Sequence, residues 1–292
     1  MGSIVYYLSL PFIYAVSLMP FWALYLLSDL FYFFIFKVFA YRTKVVYTNL
    51  KNAFPEKSEQ EIKEIMRKFY VYFCDLTLET LKTLTIHPAS LMKHVQMENE
   101  EVFKRFYDQH RSVIIVMGHF GNWELAGARF SQEKLHKLYV IYHPLANKKF
   151  DHLVYYMRTR LGNRLYAMNE VLRGMFRDKA LLTATAFIAD QTPQPQGAYW
   201  TQFMNQDTPV FKGTAKIAKK MNYPIIYTSV WRPKRGHYIV KNELLIENPA
   251  SFSEDEISEL HTRRLEQDIK LQPELWLWTH RRWKHRKPQI MD

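Results

Sequence analysis

The sequence predicts an α/β fold, with a mixed, partly parallel sheet flanked by helices and a hydrophobic membrane-anchor helix at the N-terminus. Short apolar runs rich in β-branched residues indicate buried strands, and the segments between them repeat apolar residues at helical spacing. Strands that alternate with helices favour a partly parallel sheet. The anchor is predicted from residues 4–36, where Asp29 is the only charged residue.

The apolar run at residues 4–36 is long enough to cross a membrane, because about 20 apolar residues span a bilayer. Pro11 and Pro20 divide the run, since each removes a helical hydrogen bond. We therefore expect one tilted helix over about residues 19–39, preceded by a shorter interfacial piece. The alternative is a buried helix of a soluble core.

The predicted organisation is an anchor at residues 1–40 and one folded domain at residues 41–292. No basic residue precedes the apolar run, so a signal peptide is not expected. Basic residues follow the run, and the positive-inside bias therefore places the folded domain in the cytoplasm. These basic residues are Lys37, Arg42, Lys44 and Lys51.

Helices in the folded domain are predicted from the spacing of apolar residues and from capping signals. Ser58 and Glu61 form a capping box at the start of the first helix, and Asn122 caps a later one. The helices are expected at residues 58–84, 98–109, 122–130, 150–161, 171–178, 212–221 and 253–271.

Strands are predicted wherever a short apolar run stands between turn signals. They are expected at residues 112–117, 138–142, 181–189, 224–230 and 237–246. Residues 191–197 contain prolines and a glycine that neither a helix nor a strand continues through, so they are predicted to form a loop.

Charge and composition limit the class of protein. Lys and Arg number 40 against 28 Asp and Glu, which gives a net charge of +12. This balance suits an acidic partner, such as an anionic membrane, an acidic carrier protein, a phosphorylated substrate or nucleic acid. Apolar residues make up 48% of the chain, which is typical of a folded protein, and the single cysteine, Cys74, excludes an internal disulfide.

The segment Met-Gly-His-Phe-Gly-Asn-Trp-Glu at residues 117–124 joins a strand end, a glycine turn and a helix start. Ligands of open α/β sheets bind outside the carboxyl ends of strands, where His119 is expected, and histidine suits proton abstraction near neutral pH. The turn could bring the Glu124 carboxylate to one ring nitrogen and leave the other free as a base. Gly121 would allow a ligand to approach, and the N–H groups of the helix start could hold an oxyanion.

Two other interpretations compete for this spacing. One is a structural histidine with an ordinary surface glutamate, because His-x4-Glu alone has little specificity. The other is a zinc site, which lacks an obvious third ligand and a nearby Cys/His cluster.

The whole string Gly-His-Phe-Gly-Asn-Trp-Glu at residues 118–124 resembles the signature of the bacterial late acyltransferases of lipid A biosynthesis, the lauroyl/myristoyl transferase family. That family lies within the His-x4-Asp/Glu glycerolipid acyltransferase superfamily. Other stretches are similar to family motifs in the same order, although His143 stands where the family usually has arginine. These stretches are residues 49–55, 142–147, 158–162, 189–191 and 278–284.

The resemblance implies a glycerolipid-acyltransferase-like domain in an enzyme of the bacterial inner membrane, with the catalytic domain facing the cytoplasm. The acyl donor would be a thioester of acyl carrier protein or coenzyme A. The acceptor would be a lipid, with a lipid A precursor as the first expectation, and neither a metal nor another cofactor would be needed. His119 would deprotonate an acceptor hydroxyl and Glu124 would orient and polarise His119, without an acyl-enzyme.

Five further residues are candidates for substrate binding. Arg158 and Arg160 lie on a predicted helix and could hold a phosphate of the acceptor, although a solvated basic face is the alternative. Asp190 and Gln191 end a buried strand on the same side as the candidate base, and Asn122 stands at the adjacent helix start.

The basic stretch at residues 279–288 contains no acidic residue and interleaves histidines and Trp283 with lysines and arginines. It suits an anionic lipid surface, and its composition would also suit nucleic acid.

Two other functions stay open at this point. The chain could acylate another lipid, such as a lysophospholipid or an amino-lipid, which the sequence separates poorly from a lipid A precursor. It could instead be a basic, non-catalytic protein that binds a membrane or nucleic acid. The apolar N-terminus and the lack of a recognised nucleic-acid motif argue against nucleic acid as a partner.

Overall fold

The fold is α/β, as predicted: a seven-stranded mixed sheet is flanked by helices and preceded by an apolar helical segment. The computed structural model describes residues 2–288. Met1 and residues 289–292, the extreme ends of the predicted anchor and domain, lie outside the described residues.

The apolar N-terminal run forms two helices instead of one long rod. Helix α1 is Gly2–Leu18, helix α2 is Phe21–Tyr32, and a π-helical turn, Phe33–Val38, continues α2. Pro20 is the N-cap of α2, so the run is divided there, as expected from its missing N–H group. Pro11 lies inside α1 and does not end it, which corrects the expectation of a second break.

The other helices agree with the predicted ones to within a few residues at each end, and α3 and α5 are additions that the sequence analysis did not predict. They are α3 Thr43–Ala53, α4 Glu59–Lys82, α5 Pro88–His94, α6 Glu101–Asp108, α7 Trp123–Phe130, α8 Lys148–Thr159, α9 Val171–Arg177, α10 Gly213–Met221 and α11 Glu254–Leu271. The predicted capping box of Ser58 and Glu61 is present at the start of α4.

The strands include every predicted one. They are β1 Val95–Glu98, β2 Val113–Met117, β3 Lys137–Tyr142, β4 Arg164–Ala167, β5 Thr183–Ile188, β6 Tyr199–Phe203, β7 Gln206–Val210, β8 Ile225–Lys234 and β9 His237–Ile246. The short edge strands β1 and β4 and the separate hairpin β6–β7 were not predicted from the sequence.

The sheet has the strand order β1-β9-β8-β2-β5-β3-β4. All neighbouring pairs are parallel except β8 and β9. Strands β2 and β5 are therefore adjacent and parallel at the centre, with Met117 paired to Ile188 at their carboxyl ends. Loops that leave these two strands emerge side by side at one edge of the sheet.

Alternate residues of β2 serve the two faces of the sheet, as the pleat requires. Ile114 and Val116 belong to the main core, which α4 and α11 cover. Ile115 and Met117 face the other side and pack in clusters that include α7. The sheet is thus buried on both faces, which is typical of parallel strands.

Helices α1 and α2 pack against α4 on one side and leave their other side exposed. Val16, Leu24 and Leu78 form a buried cluster at this contact, and Lys82 Nζ donates to the carbonyl oxygen of Ser17 at 2.8 Å. Among residues 2–288, Phe21–Val38 is the one helix that is long and apolar enough to cross a membrane, and 11% of it is buried. The division into an anchor at residues 1–40 and a domain at residues 41–292 stays a prediction.

The two sides of α2 give the first testable prediction. Leu24→Ala opens a cavity in the contact with α4 and should lower the free energy of unfolding by about 3 kcal/mol, because Leu24 is fully buried. Leu26→Ala, at a side chain that is 64% exposed, should leave unfolding within about 0.5 kcal/mol but weaken partitioning into lipid. Thermal unfolding in detergent and flotation with liposomes measure the two effects. Equal destabilisation by both changes would contradict the assignment of the two sides.

Candidate active site

Two side chains meet at the edge of the sheet where β2 and β5 end. His119 lies just beyond β2 and Asp190 just beyond β5, so two adjacent parallel strands bring them together. The backbone N–H of Ala189 donates to the carbonyl oxygen of Met117 at 3.1 Å, which continues the strand pairing up to the site. Glycine at residue 118 leaves room for these neighbours, because a Cβ there would lie 2.6 Å from Leu265 Cδ1 and 3.2 Å from Asp190 Oδ2.

Asp190 holds His119 through two hydrogen bonds. The ring Nδ1–H donates to Oδ1 at 2.6 Å, and the backbone N–H of His119 donates to Oδ2 at 2.7 Å. With the proton on Nδ1, the lone pair of Nε2 is free to accept a proton. The side-chain nitrogen of Gln191 lies 3.4 Å from Nε2, and the ring of Trp123 packs against the imidazole with a centroid distance of 4.8 Å.

The carboxylate of Asp190 is ionised in spite of its burial. Burial alone would raise the pKa, but the charge and hydrogen bonds of His119 and the indole of Trp276 hold the pKa of Asp190 at about 2. Trp276 Nε1–H donates to Oδ2 at 2.8 Å. An ionised carboxylate on Nδ1 stabilises the imidazolium that forms when Nε2 takes a proton.

A segment near the C-terminus completes the loop that carries the histidine. The N–H of Gly121 donates to the carbonyl oxygen of Leu275 at 3.0 Å, and the N–H of Leu277 donates to that of His119 at 3.1 Å. These two bonds pair the loop after β2 with the chain on either side of Trp276. The indole that contacts Asp190 is therefore fixed relative to the imidazole.

Asn49 of α3 holds the same C-terminal segment from the other side. Its Nδ2 donates to the carbonyl oxygens of Trp278 at 3.0 Å and His280 at 3.1 Å. Residues 49–55 and 278–284, which resemble two separate family motifs, are thus in direct contact.

Glu124 is bonded to an arginine and not to the imidazole. Arg158 Nε lies 3.1 and 3.0 Å from the two carboxylate oxygens of Glu124, and Arg158 Nη2 also donates to Oε1. The expectation that Glu124 would hold a ring nitrogen of His119 is therefore corrected, because Asp190 occupies Nδ1. Glu124 lies in the first turn of α7, and from there its side chain reaches α8, which carries Arg158.

The ion pair with Glu124 keeps Arg158 positively charged. Burial disfavours the charged guanidinium, but the negative charge and hydrogen bonds of Glu124 outweigh it and raise the pKa of Arg158 above its usual value. Both residues line the cavity that His119 also lines, so the same cavity contains the imidazole and a guanidinium held in place by Glu124.

An apolar cavity of about 590 Å³ extends from His119 along the sheet beneath α7. Gly127 and Phe130 of α7 form one wall. The other wall comes from one face of β2, β3 and β5, namely Ile115, Met117, Leu138, Val140, Ala186 and Ile188. Between His119 and Ile115 the chain covers roughly 13 Å at about 3.3 Å per residue, which suits an extended acyl chain of medium length.

Asn122 and Gly121 support the site from the scaffold side. Asn122 is fully buried, accepts from the N–H of Leu125 at 3.0 Å and donates to Glu79 Oε2 at 2.7 Å. Gly121 has a φ of +65°, and a Cβ there would lie 1.9 Å from the carbonyl oxygen of Val230. Glycine is therefore required by the turn and by β8, which corrects the expectation that it allows a ligand to approach.

The two arginines predicted to bind substrate have different environments. Arg160 donates to the carbonyl oxygens of Thr83 at 2.8 Å and Ile86 at 3.0 Å, so it ties α8 to the end of α4. Arg158 and Gln191 line the cavity, whereas Arg160 and Asn122 do not.

Trp276 is the site residue that sequence reasoning missed, since no local pattern marks it beyond its position just before residues 278–284. In the basic stretch at residues 279–288, which was predicted to suit an anionic lipid surface or nucleic acid, Arg282 is only 2% exposed, whereas Arg281, Lys284, Arg286 and Lys287 are exposed. The partner of this stretch stays a prediction. Among the described residues, no group of three or more His, Cys, Asp and Glu side chains is arranged to hold a metal ion. The independence from metals and cofactors stays a prediction.

A histidine held by a buried carboxylate beside an apolar cavity suits an enzyme that transfers acyl chains. A family model described as bacterial lipid A biosynthesis acyltransferase matches residues 2–285. The chain belongs to this family and is a lipid acyltransferase. It is 23% identical over 249 residues to the lipid A biosynthesis lauroyltransferase of Escherichia coli (strain K12), covering 84% of this chain and 80% of that protein.

Proposed function

We propose that the protein transfers a fatty acyl group from a thioester of acyl carrier protein or coenzyme A to a hydroxyl of a lipid acceptor. The acceptor that we propose first is a lipid A precursor. The observation that carries this proposal is the His119–Asp190 pair at the mouth of the apolar cavity. The acceptor is suggested by the Escherichia coli relative, a lipid A biosynthesis lauroyltransferase.

In the proposed reaction, His119 Nε2 takes the proton of the acceptor hydroxyl while Asp190 stabilises the imidazolium. The acceptor oxygen attacks the thioester carbonyl and forms a tetrahedral oxyanion. When the oxyanion collapses, the carbon–sulfur bond breaks, the ester remains on the acceptor, and the thiolate recovers the proton from His119. The acyl group passes directly to the acceptor, so no acyl-enzyme is required.

Glu124 has a different role in this proposal from the one that the sequence suggested. It fixes the guanidinium of Arg158 beside the reacting atoms by a two-point ion pair. An anionic group of the acceptor or donor would be attracted to this cation and held near Nε2.

The cavity is proposed to hold the hydrocarbon chain of the donor. Its walls are apolar over the distance from the catalytic histidine to Ile115, and Gly127 contributes no side chain to α7 at the middle of the wall. An acyl chain bound there would place its thioester carbonyl at the mouth, beside the base.

The protein is further proposed to act at the bacterial inner membrane with its catalytic domain facing the cytoplasm. The exposed apolar side of α1 and α2 supports contact with lipid, since Leu8, Trp22 and Leu26 are each more than half exposed. The basic residues that follow the apolar run support the orientation.

The catalytic pair is tested by His119→Ala and Asp190→Asn in the purified full-length protein. Each change should lower kcat by about 10²–10⁴-fold, and the double variant should be little worse than either, because the two residues act as a unit. The measurement is the rate of acyl transfer from labelled donors to lipid A precursors, lysophospholipids and amino-lipids. His152→Ala, at an exposed histidine of α8, is the matched control and should retain activity.

Two results would contradict this assignment. Turnover near the unaltered rate in a folded His119→Ala protein would exclude the general-base mechanism. A severe loss in Glu124→Gln with little loss in Asp190→Asn would return the orienting role to Glu124.

The role of the cavity is tested by Gly127→Val. A Cβ at this position would meet only Asn163 Nδ2 at 3.4 Å and Leu138 Cδ2 at 3.8 Å, so the first added carbon fits without a clash, and thermal unfolding of the variant checks that the fold is kept. The added methyl groups should lower kcat/KM for the longest accepted chain by about tenfold relative to chains two or more carbons shorter, since each buried methylene contributes about 0.8 kcal/mol. A chain-length series of acyl donors gives this ratio, and an equal loss at every length would contradict the proposal.

The identity of the acyl donor is tested by the salt dependence of KM. Exposed basic residues lie on α9 and α10, whose Val171 and Ile217 line the cavity, and an acidic carrier protein would be attracted to them. Raising the salt concentration should therefore raise KM for acyl carrier protein and leave kcat largely unchanged, because exposed charges are screened over about 10 Å at 0.1 M salt. Acyl-coenzyme A should depend less on salt.

The double variant Arg173→Gln/Lys220→Gln should reproduce the effect of salt on KM, whereas Lys104→Gln on α6 should not. A preference for acyl-coenzyme A at every ionic strength would exclude the carrier protein as donor without affecting the chemistry assigned to His119.

A further inference from the structure

A second, small cavity adjoins the buried side of the catalytic pair. Its volume is about 10 Å³, and Asp190 forms part of its lining. His261 of α11, Arg282 of the C-terminal stretch and Tyr227 of β8 also line it.

Arg282 has donors that the protein does not use. Its Nη2–H donates to the carbonyl oxygen of Pro209 at 2.7 Å. Its Nε and Nη1 are buried without a hydrogen-bond partner among the described residues, and so is His261 Nε2. A buried guanidinium requires acceptors, and a cavity of roughly 10–15 Å³ is enough for one water molecule, which would supply one.

Arg282 also lacks an acidic partner within ion-pair distance among the described residues, although Asp190 is close enough to act on it electrostatically. Burial lowers the pKa of Arg282 to about 10, and the negative charge of Asp190 opposes this effect. The guanidinium is therefore still charged at neutral pH, and a buried cation beside a buried carboxylate stabilises the ionised form of both.

The other titratable groups around Asp190 are neutral or already paired. Burial lowers the pKa of His261 to about 4 and also lowers the pKa of His280. Tyr227 donates to Asp268 at 2.7 Å, and burial keeps its pKa well above the usual value. In the lining of the large cavity Arg158 is ion-paired with Glu124.

We infer that Arg282 is a positioning residue for acyl transfer, whose buried positive charge limits how tightly the His119–Asp190 pair binds a proton. This inference deepens the proposed function and rests on it, because the pair acts as a base only in its unprotonated form. Arg282 touches neither the imidazole nor the large cavity, so it acts through Asp190.

The direction of the effect follows from the sign of the charge. The positive charge of Arg282 opposes the addition of a proton to the neighbouring pair. Without that charge, the pair should keep its proton to a higher pH, and a smaller fraction of the enzyme should carry a free Nε2 in the acid range. A loss of packing alone would reduce activity at all pH values. It would leave unchanged the midpoint, which is the pH at which half of the enzyme carries an unprotonated Nε2.

The test uses the purified full-length protein and reads the free Nε2 directly. The rate at which diethyl pyrocarbonate modifies His119, followed by mass spectrometry of the His119 peptide, is measured as a function of pH. Arg282→Gln and Arg282→Met, two neutral variants of different shape, should move the midpoint up by about one pH unit, which is about tenfold less modification on the acid limb. The acid limb of kcat/KM for the active lipid acceptor should move by the same amount.

Three controls separate charge from structure. Arg281→Gln removes the same charge from the exposed neighbouring position and should leave the midpoint unchanged, because surface charges are screened. His261→Asn alters the small cavity without removing a charge and should also leave it unchanged. Arg282→Lys keeps a cation in acid solution and should restore the midpoint of the unaltered protein.

An unchanged midpoint in either folded neutral Arg282 variant would overturn the inference, as would an equal shift in His261→Asn. These outcomes are distinct from a failure of the proposed function, which would appear as full transfer activity in His119→Ala.

Discussion

The candidate active site depends on one constraint, which is that a carboxylate must stay ionised while it is buried just beyond the carboxyl ends of the central strands β2 and β5. The side chain of Asp190 is 4% exposed, and an unpaired charge at such a position would cost several kcal/mol. Three N–H donors offset this cost, two from His119 and one from Trp276. Adjacent parallel strands provide the first two donors, but the third comes from a segment far along the chain, so the site requires the whole fold.

This requirement explains why hydrogen bonds from several elements hold the C-terminal segment that carries Trp276. Arg42 Nη1 donates to the carbonyl oxygen of Thr279 at 2.9 Å, Asn49 holds the two neighbouring carbonyl groups, and Thr192 donates to the carbonyl oxygen of Arg282 at 2.8 Å. Each contact joins the C-terminal segment to a stretch that resembles a family motif or to a residue near such a stretch. Stretches that are separate in the sequence are thus joined in the fold through the C-terminal segment that carries Trp276.

The sequence predicted the elements whose signals are local. The central strands and capped helices were found from apolar runs and capping residues, and His119 was placed correctly at a strand end. Strands β1 and β4 were not found because four residues give too little periodicity. The partner of the histidine was not found because it depends on the adjacency of β2 and β5, which local patterns do not encode; Glu124 was nearer in sequence, but Asp190 is nearer in space.

The apolar N-terminal segment belongs to the scaffold that supports the site. Its hydrogen bonds are stronger evidence for this role than its apolar packing. Glu79 of α4 is fully buried, and burial raises its pKa. It accepts hydrogen bonds from Tyr25 of α2, Tyr238 of β9 and Asn122 at the start of α7. Loss of Tyr25 would leave a buried acceptor with one donor fewer, at a cost of about 1–3 kcal/mol.

Asn122 is the N-cap of α7, the helix that carries Glu124 and forms one wall of the large apolar cavity. A chain of three hydrogen-bonded residues therefore runs from α2, whose other side exposes apolar side chains, through Glu79 to the turn after His119. A simple tether would need only apolar side chains directed at lipid. Because α2 instead shares a buried carboxylate with the turn after His119, the geometry of the site and the docking of the N-terminal helices are set by the same contacts.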